Sequence, residues 1–227
     1  MLNQYLKVIT LLALTFCNLN CANPSSRSTP PAMKQGEPME AVKRQMGDLK
    51  SKISESDRLN RIFELYWQYT MINSPEYATQ TGYPGQNDRW SDLSLKSIQR
   101  LKSEVPLWLQ TLQDIDRTRL NSEEQLSYDV LSQQLDDIIH LNQFPNEFLQ
   151  MSQMGGIHTD APSLLLQAPQ SSVEDYRDRI RRLEKLPELV AQTIVLMKQG
   201  MRHKVTFPQI VMRDVPRQVA KLYETTW

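Results

Sequence analysis

Apolar residues return every three or four positions along most of this chain, and that spacing restricts it to helices. Leu59, Ile62, Phe63, Tyr66 and Met71 form the first stripe, as one face of a helix with 3.6 residues per turn requires. Leu95, Ile98, Leu101, Val105, Leu109, Leu112 and Ile115 form a second, and Leu126, Val130, Leu131, Leu135, Ile138 and Ile139 a third. Val173, Tyr176, Ile180, Leu183, Leu186, Val190, Ile194 and Met197 line a fourth. No alternating run is long enough for a strand. VTFPQIV comes nearest, and Pro208 counts against it.

Punctuation agrees with the stripes. Ser54 with Asp57, Ser122 with Gln125 and Ser172 with Asp175 have the spacing of capping boxes. Ser74-Pro75 and Gly82 bracket a short helix. Pro106 and Pro187 are expected to kink or divide their helices. Pro208 and Pro216 each stand where a helix can begin. The short turn Asp116–Asn121 makes the second and third stripes an antiparallel hairpin. The expected fold is all-α: a multi-helix antiparallel array with kinked helices. One long Gly/Pro-containing loop, MSQMGGIHTDAPSLLLQAPQ from Met151 to Gln170, interrupts it.

The N-terminus reads differently. Residues 1–21 have a short apolar core, Val8 to Phe16, after Lys7. That core falls short of the roughly 20 residues that span a bilayer and suits an export signal. Cys17 and Cys21 are the two cysteines of the chain. Cys21 is the better lipidation candidate, although Asn20 stands where a small residue is usual. Lipidation, plain secretion and an uncleaved anchor all remain open. Residues 22–39 are rich in Pro and Ser and read as a flexible tether, ahead of a helical domain over 40–227. The expected location is the cell envelope, outside the cytoplasm, or secretion.

Charge and motifs narrow the chemistry. Lys plus Arg and Asp plus Glu each number 26, so no net field attracts nucleic acid. DYRDRIRRLEKL interleaves acids and bases, as in Asp175 with Arg179 and Asp178 with Arg182, and reads as a solvated helix face. Nucleophile elbows, phosphate loops and dinucleotide fingerprints are absent from the sequence. The histidines are His140, His158 and His203, and none opens a His-Glu-x-x-His pair. His158 and Asp160 are the one close pair of ligand types, too few for a metal. Gly155-Gly156 permits close backbone approach, so Gly155, Gly156 and His158 are the candidate substrate contacts, against a plain helix-capping loop. Tyr66, Trp67 and Tyr69 are either core or an aromatic wall for a ligand.

Four segments carry a resemblance: SPEYATQTGYPGQNDRWSDLS, LNSEEQLSYDVLSQQL, QMGGIHTDAPSLL and SSVEDYRDRIRRLEKLP. In order and spacing they resemble the exported, lipoprotein-rich bacterial family called domain of unknown function 885, over about Leu59 to Leu222. The resemblance implies a helical zinc-dependent peptidase whose metal site is a downstream His-Glu motif. No His-Glu pair occurs in this sequence. The expectation is therefore an N-terminal, truncated portion that binds no cofactor itself and is inactive alone. The alternative is a non-catalytic envelope module that binds a peptide or protein. The expected partners are a membrane, through the lipid, and a peptide substrate. With apolar faces on nearly every helix, self-association is expected as well.

Overall fold

The structure, a computed structural model, describes residues 53–224. The signal segment with Cys21, the tether and the first part of the helical domain lie outside the described residues. The described chain is all-α, as the stripes require. Its helices are α1 (Glu55–Asn73), α2 (Pro75–Thr81), α3 (Leu95–Gln113), α4 (Ser122–Leu141), α5 (Ile157–Gln167), α6 (Val173–Glu184), α7 (Leu186–Arg202), α8 (Gln209–Met212) and α9 (Val215–Glu224). Single 3-10 turns lie at Arg117–Arg119 and Asn146–Phe148. Among the described residues no helix is long and apolar enough to cross a membrane.

The chain forms two compact units. Unit 1 takes residues up to Tyr69 together with Glu104–His140, and unit 2 takes Thr70–Ser103 with Leu141–Trp227. Unit 1 has a core of Leu59, Ile62, Phe63 and Leu65 from α1, Trp108 and Leu112 from α3, and Leu131 and Leu135 from α4. Tyr66 and Tyr69 each meet the Trp108 ring edge-on with centroids 5.3 Å apart. These two aromatics pack against the core, and the Tyr69 hydroxyl donates to Glu104 at 2.7 Å. Arg58, 2 % exposed, donates to Glu55 at 2.7 Å and to the Asp114 carbonyl at 3.2 Å. A buried cation needs such partners, because its desolvation is otherwise uncompensated.

The structure narrows or shifts several local boundaries. The cap of α4 is Asn121, one residue early: its Oδ1 accepts from the N–H groups of Glu123 and Glu124 at 3.0 Å, and Glu124 accepts from the Asn121 N–H. Asn caps as well as Ser, and Asn121-x-x-Glu124 closes its own box. Gln125 is thereby freed to donate to the Leu120 carbonyl. α3 runs through Pro106 without dividing. α7 runs through Gly200 to Arg202 and ends at His203-Lys204, where His203 is the cap and Lys204 takes the left-handed turn at φ 60.

The Met151–Gln170 stretch is also not one long loop. It holds a tight turn, then the eleven-residue α5, which continues through Pro162. The apolar run of Ala161 and Leu164 is buried, and burying it outweighs the hydrogen bond that Pro162 forfeits.

α6 and α7 follow one another as a two-part rod divided at Lys185, with Pro187 in the first turn of α7, as that proline leads one to expect. Lys185 between them keeps right-handed helical backbone, and its N–H reaches the Arg181 carbonyl at 3.3 Å. The rod buries Arg182, Leu189, Thr193, Leu196 and Gly200 within unit 2. The fourth sequence stripe lies elsewhere on its surface. Val173, Tyr176, Ile180, Leu183, Val190 and Ile194 are between 38 % and 68 % exposed.

Candidate functional site

The Gly155-Gly156 pair forms an elbow in unit 2. Ser152 and Gly155 bond to each other as an isolated antiparallel bridge, and the Met154 side chain stands out at 87 % exposure. Gly156 then adopts φ 138, a conformation that side chains oppose. A Cβ there would lie 2.9 Å from the Gln150 carbonyl oxygen and 3.1 Å from the Met151 Cα. The close approach is therefore made to the chain's own backbone. At Gly155 a Cβ would meet only Asp160 Oδ1, at 3.9 Å, which is ordinary contact.

Behind the elbow the α5 N-terminus is fixed from both sides. Asp160 accepts from the Gly156 N–H at 3.3 Å and from the Thr159 hydroxyl at 3.0 Å. His158 is 6 % exposed, and its Nε2 lies 3.1 Å from Gln218 Oε1 in α9. The Gln218 amide nitrogen donates to the Gln153 carbonyl at 3.0 Å. With Gln218 Oε1 as the acceptor, His158 Nε2 carries the proton and Nδ1 is left without a partner among the described residues. Gln153 in turn donates its N–H to the Val211 carbonyl at 2.9 Å. The structure thus brings Gly155, Gly156 and His158 together, with the glycines at the turn and the imidazole inside.

The zinc that the resemblance implies does not fit these residues. The carboxylate of Asp160 accepts from the elbow and the Nε2 of His158 lies against Gln218. Among the described residues no three His, Cys, Asp or Glu side chains converge in a way that could hold a metal. His140 is exposed beside Asp136 on α4, and His203 stacks on Phe148 with centroids 5.5 Å apart.

A second constellation escaped the sequence reading. Arg182, expected on a solvated face with Asp178, is wholly buried. Its Nε donates to the Arg89 carbonyl at 2.8 Å, and its Nη2 to the Gln86 carbonyl at 2.7 Å and Thr79 Oγ1 at 2.9 Å. The Trp90 ring lies 5.2 Å from its guanidinium. Burial lowers its pKa from the ordinary arginine value, against the pull of Glu76, Asp88 and Asp178. Asp178 instead pairs with Arg181. The signal that pointed here is the loop YPGQNDRWSD itself. A loop without a ladder must place its carbonyls on some other donor, and a fork of guanidinium N–H groups serves several at once.

In unit 1 an open groove of about 320 Å³ is lined by Leu109, Gln113, Asp129, Ser132, Gln133 and Asp136. Arg117 grips Asp129 through two bonds, at 2.8 and 2.6 Å, and holds its carboxyl below the usual range. That carboxylate is engaged, and the groove is a polar, solvated surface.

Fold and site together define an all-α protein whose elbow brings Gly155, Gly156 and His158 together. The chain belongs to the bacterial family described as "Bacterial protein of unknown function (DUF885)", whose profile matches residues 75–226. The matched span includes both the elbow and Arg182. No curated protein and no solved structure matches the chain.

Proposed function

We propose that this chain is the non-catalytic helical portion of an exported, zinc-peptidase-like protein, anchored at the cell envelope through Cys21. The observation that carries this reading is the commitment of His158 and Asp160, the two ligand types at the elbow, to Gln218 and to the Gly156 turn. Peptidase character comes from the family resemblance, and export from the apolar core and cysteine of the N-terminal sequence. In this reading the rim of the elbow, Met154 with Gly155, forms one wall of a groove for an extended peptide. His158 stands behind the rim and fixes its position.

Full-length chain incubated with zinc and labelled casein is expected to show no chelator-sensitive cleavage; such cleavage overturns the reading. Fluorescence anisotropy of a labelled casein peptide tests the wall. Binding that weakens in Met154→Asp supports it, and binding indifferent to Met154→Asp counts against it. Incorporation of labelled palmitate that disappears in Cys21→Ser supports the anchor. A second reading, an envelope module that binds a protein, is favoured by the open apolar face of α6 and α7.

A further inference from the structure

The open stripe on α6 and α7 has a stricter spacing than an ordinary amphipathic helix. Val173, Tyr176, Ile180, Leu183, Pro187, Val190, Ile194, Met197 and Met201 follow one another at alternating steps of three and four. That is a heptad spacing, carried across the break at Lys185, with Val173, Ile180, Pro187, Ile194 and Met201 at the a positions and the others at d. A narrow a/d stripe is the surface that a second helix covers in a coiled coil. At 1.5 Å per residue it runs about 40 Å. With a helix width of about 10 Å it presents about 400 Å² in projection, the size of the largest apolar patch on a typical monomer, which is often functional. The residues that face the interior of unit 2, Arg182, Leu189, Thr193, Leu196 and Gly200, occupy the c and g positions. They form a different stripe, turned about 110° away at 100° per residue. The rod therefore has one stripe packed within its unit and another left largely open among the described residues, with Met197 half-buried on it.

We infer that a second copy of this chain covers this seam, as a parallel, in-register pair of α6–α7 rods. The residue types select this occupant. β-branched residues at a with Leu at d favour two parallel strands, and Val173, Ile180 and Ile194 stand at a beside Leu183 at d. The flanks are self-complementary in that register. Arg179 at g faces Glu184 at the following e position of the second copy, and the two-fold axis makes the same pair twice. Glu184 is exposed, and Arg179 is half-buried with its guanidinium 5.7 Å from the Tyr176 ring. The antiparallel registers of longest overlap are opposed by charge: one sets Arg177 against Lys198, and the next sets Glu184 against itself. The inference is independent of peptidase character and needs only the helical rod and its surface.

Analytical ultracentrifugation of the full-length chain over a range of concentrations tests it. A dimer is expected. Ile180→Asp with Ile194→Asp is expected to weaken the dimer by at least about a hundredfold while leaving the helical circular dichroism unchanged. Both residues are solvent-facing in the single chain, and a charge reversal offers a milder second test. Glu184→Arg is expected to weaken the dimer about tenfold, and Arg179→Glu added to it to restore most of the loss. Val190→Cys is expected to form an intermolecular disulfide to its own counterpart, identified by mass spectrometry of proteolytic peptides. A monomer at every concentration overturns the inference, whether another segment of the chain or another protein takes the seam. So does a dimer indifferent to the two aspartates, and a dimer without the Val190→Cys linkage overturns the parallel register.

Discussion

The Trp90 indole N–H donates to the Arg182 carbonyl at 2.8 Å, and the ring of the same tryptophan lies 5.2 Å from the Arg182 guanidinium. Each residue therefore serves the other twice, once through backbone and once through charge over the ring face. The contact joins positions 92 residues apart in sequence and fastens the loop after α2 to α6.

Loss of that cation should be felt throughout unit 2. Arg182→Met keeps the volume and removes the donors to the Arg89 and Gln86 carbonyls and to Thr79. We expect destabilisation of about 3 kcal/mol or more, read as a lowered urea midpoint with Trp90 fluorescence as one probe. Arg182→Lys is expected to recover only part of it, because an ammonium cannot reproduce the fork.

The two elbow glycines should behave differently. Gly156→Ala forces an L side chain into φ 138 and against the Gln150 carbonyl, at an expected cost of about 1–3 kcal/mol. Gly155→Ala is expected to change stability by no more than about 0.5 kcal/mol. Equal effects in thermal denaturation would contradict the assignment of the turn to Gly156.

Gly200 is expected to be as sensitive as Gly156 for a different reason. A Cβ there would come within 2.6 Å of the Val205 carbonyl oxygen and 2.8 Å of the Phe148 Cβ. Gly200→Ala must move backbone, and overpacking of this kind costs about 1–3 kcal/mol. Helix propensity alone would give the opposite sign, so a stabilised variant would refute the close contact.

Acid should erode stability through a few surface carboxylates. The Arg117 side chain lowers the pKa of Asp129, the Thr118 side chain and N–H lower that of Asp116, and Arg181 with Arg177 lowers that of Glu174. A carboxyl with a depressed folded-state pKa stabilises the fold above its unfolded value, and the contribution is lost as pH falls through the depressed value. Stability is thus expected to decline below about pH 4. Asp129→Asn should flatten that limb with little change at neutral pH, since exposed pairs contribute little there. An unaltered acid limb in urea titrations would count against the Arg117 pair.

Much of this architecture is legible in the sequence, because helices announce themselves locally. The Ser172–Asp175 box forms with both reciprocal bonds, and Gly82 closes α2 in the left-handed region. These features depend on residues a few positions apart. The helix within Met151–Gln170 was hidden by Pro162 and the glycines, which read locally as breakers, while the burial of Leu164 that overrides them is tertiary. Arg182 was hidden for a related reason. Its acidic neighbours at helical spacing suggest a solvated pair, and only the distant loop reveals that carbonyls receive it. For the candidate site, the sequence brought Gly155, Gly156 and His158 to notice as a group. The division of labour between the two glycines, and the enclosure of the imidazole by Gln218, depend on α9 some 60 residues away.

The span between Arg182 and the carbonyls it gathers has a consequence for the order in which the protein is made. Residues 86–89 leave the ribosome long before residue 182 does. Their carbonyl oxygens must remain hydrated until that late arginine arrives, so this corner of the molecule is completed only after residue 182 has emerged.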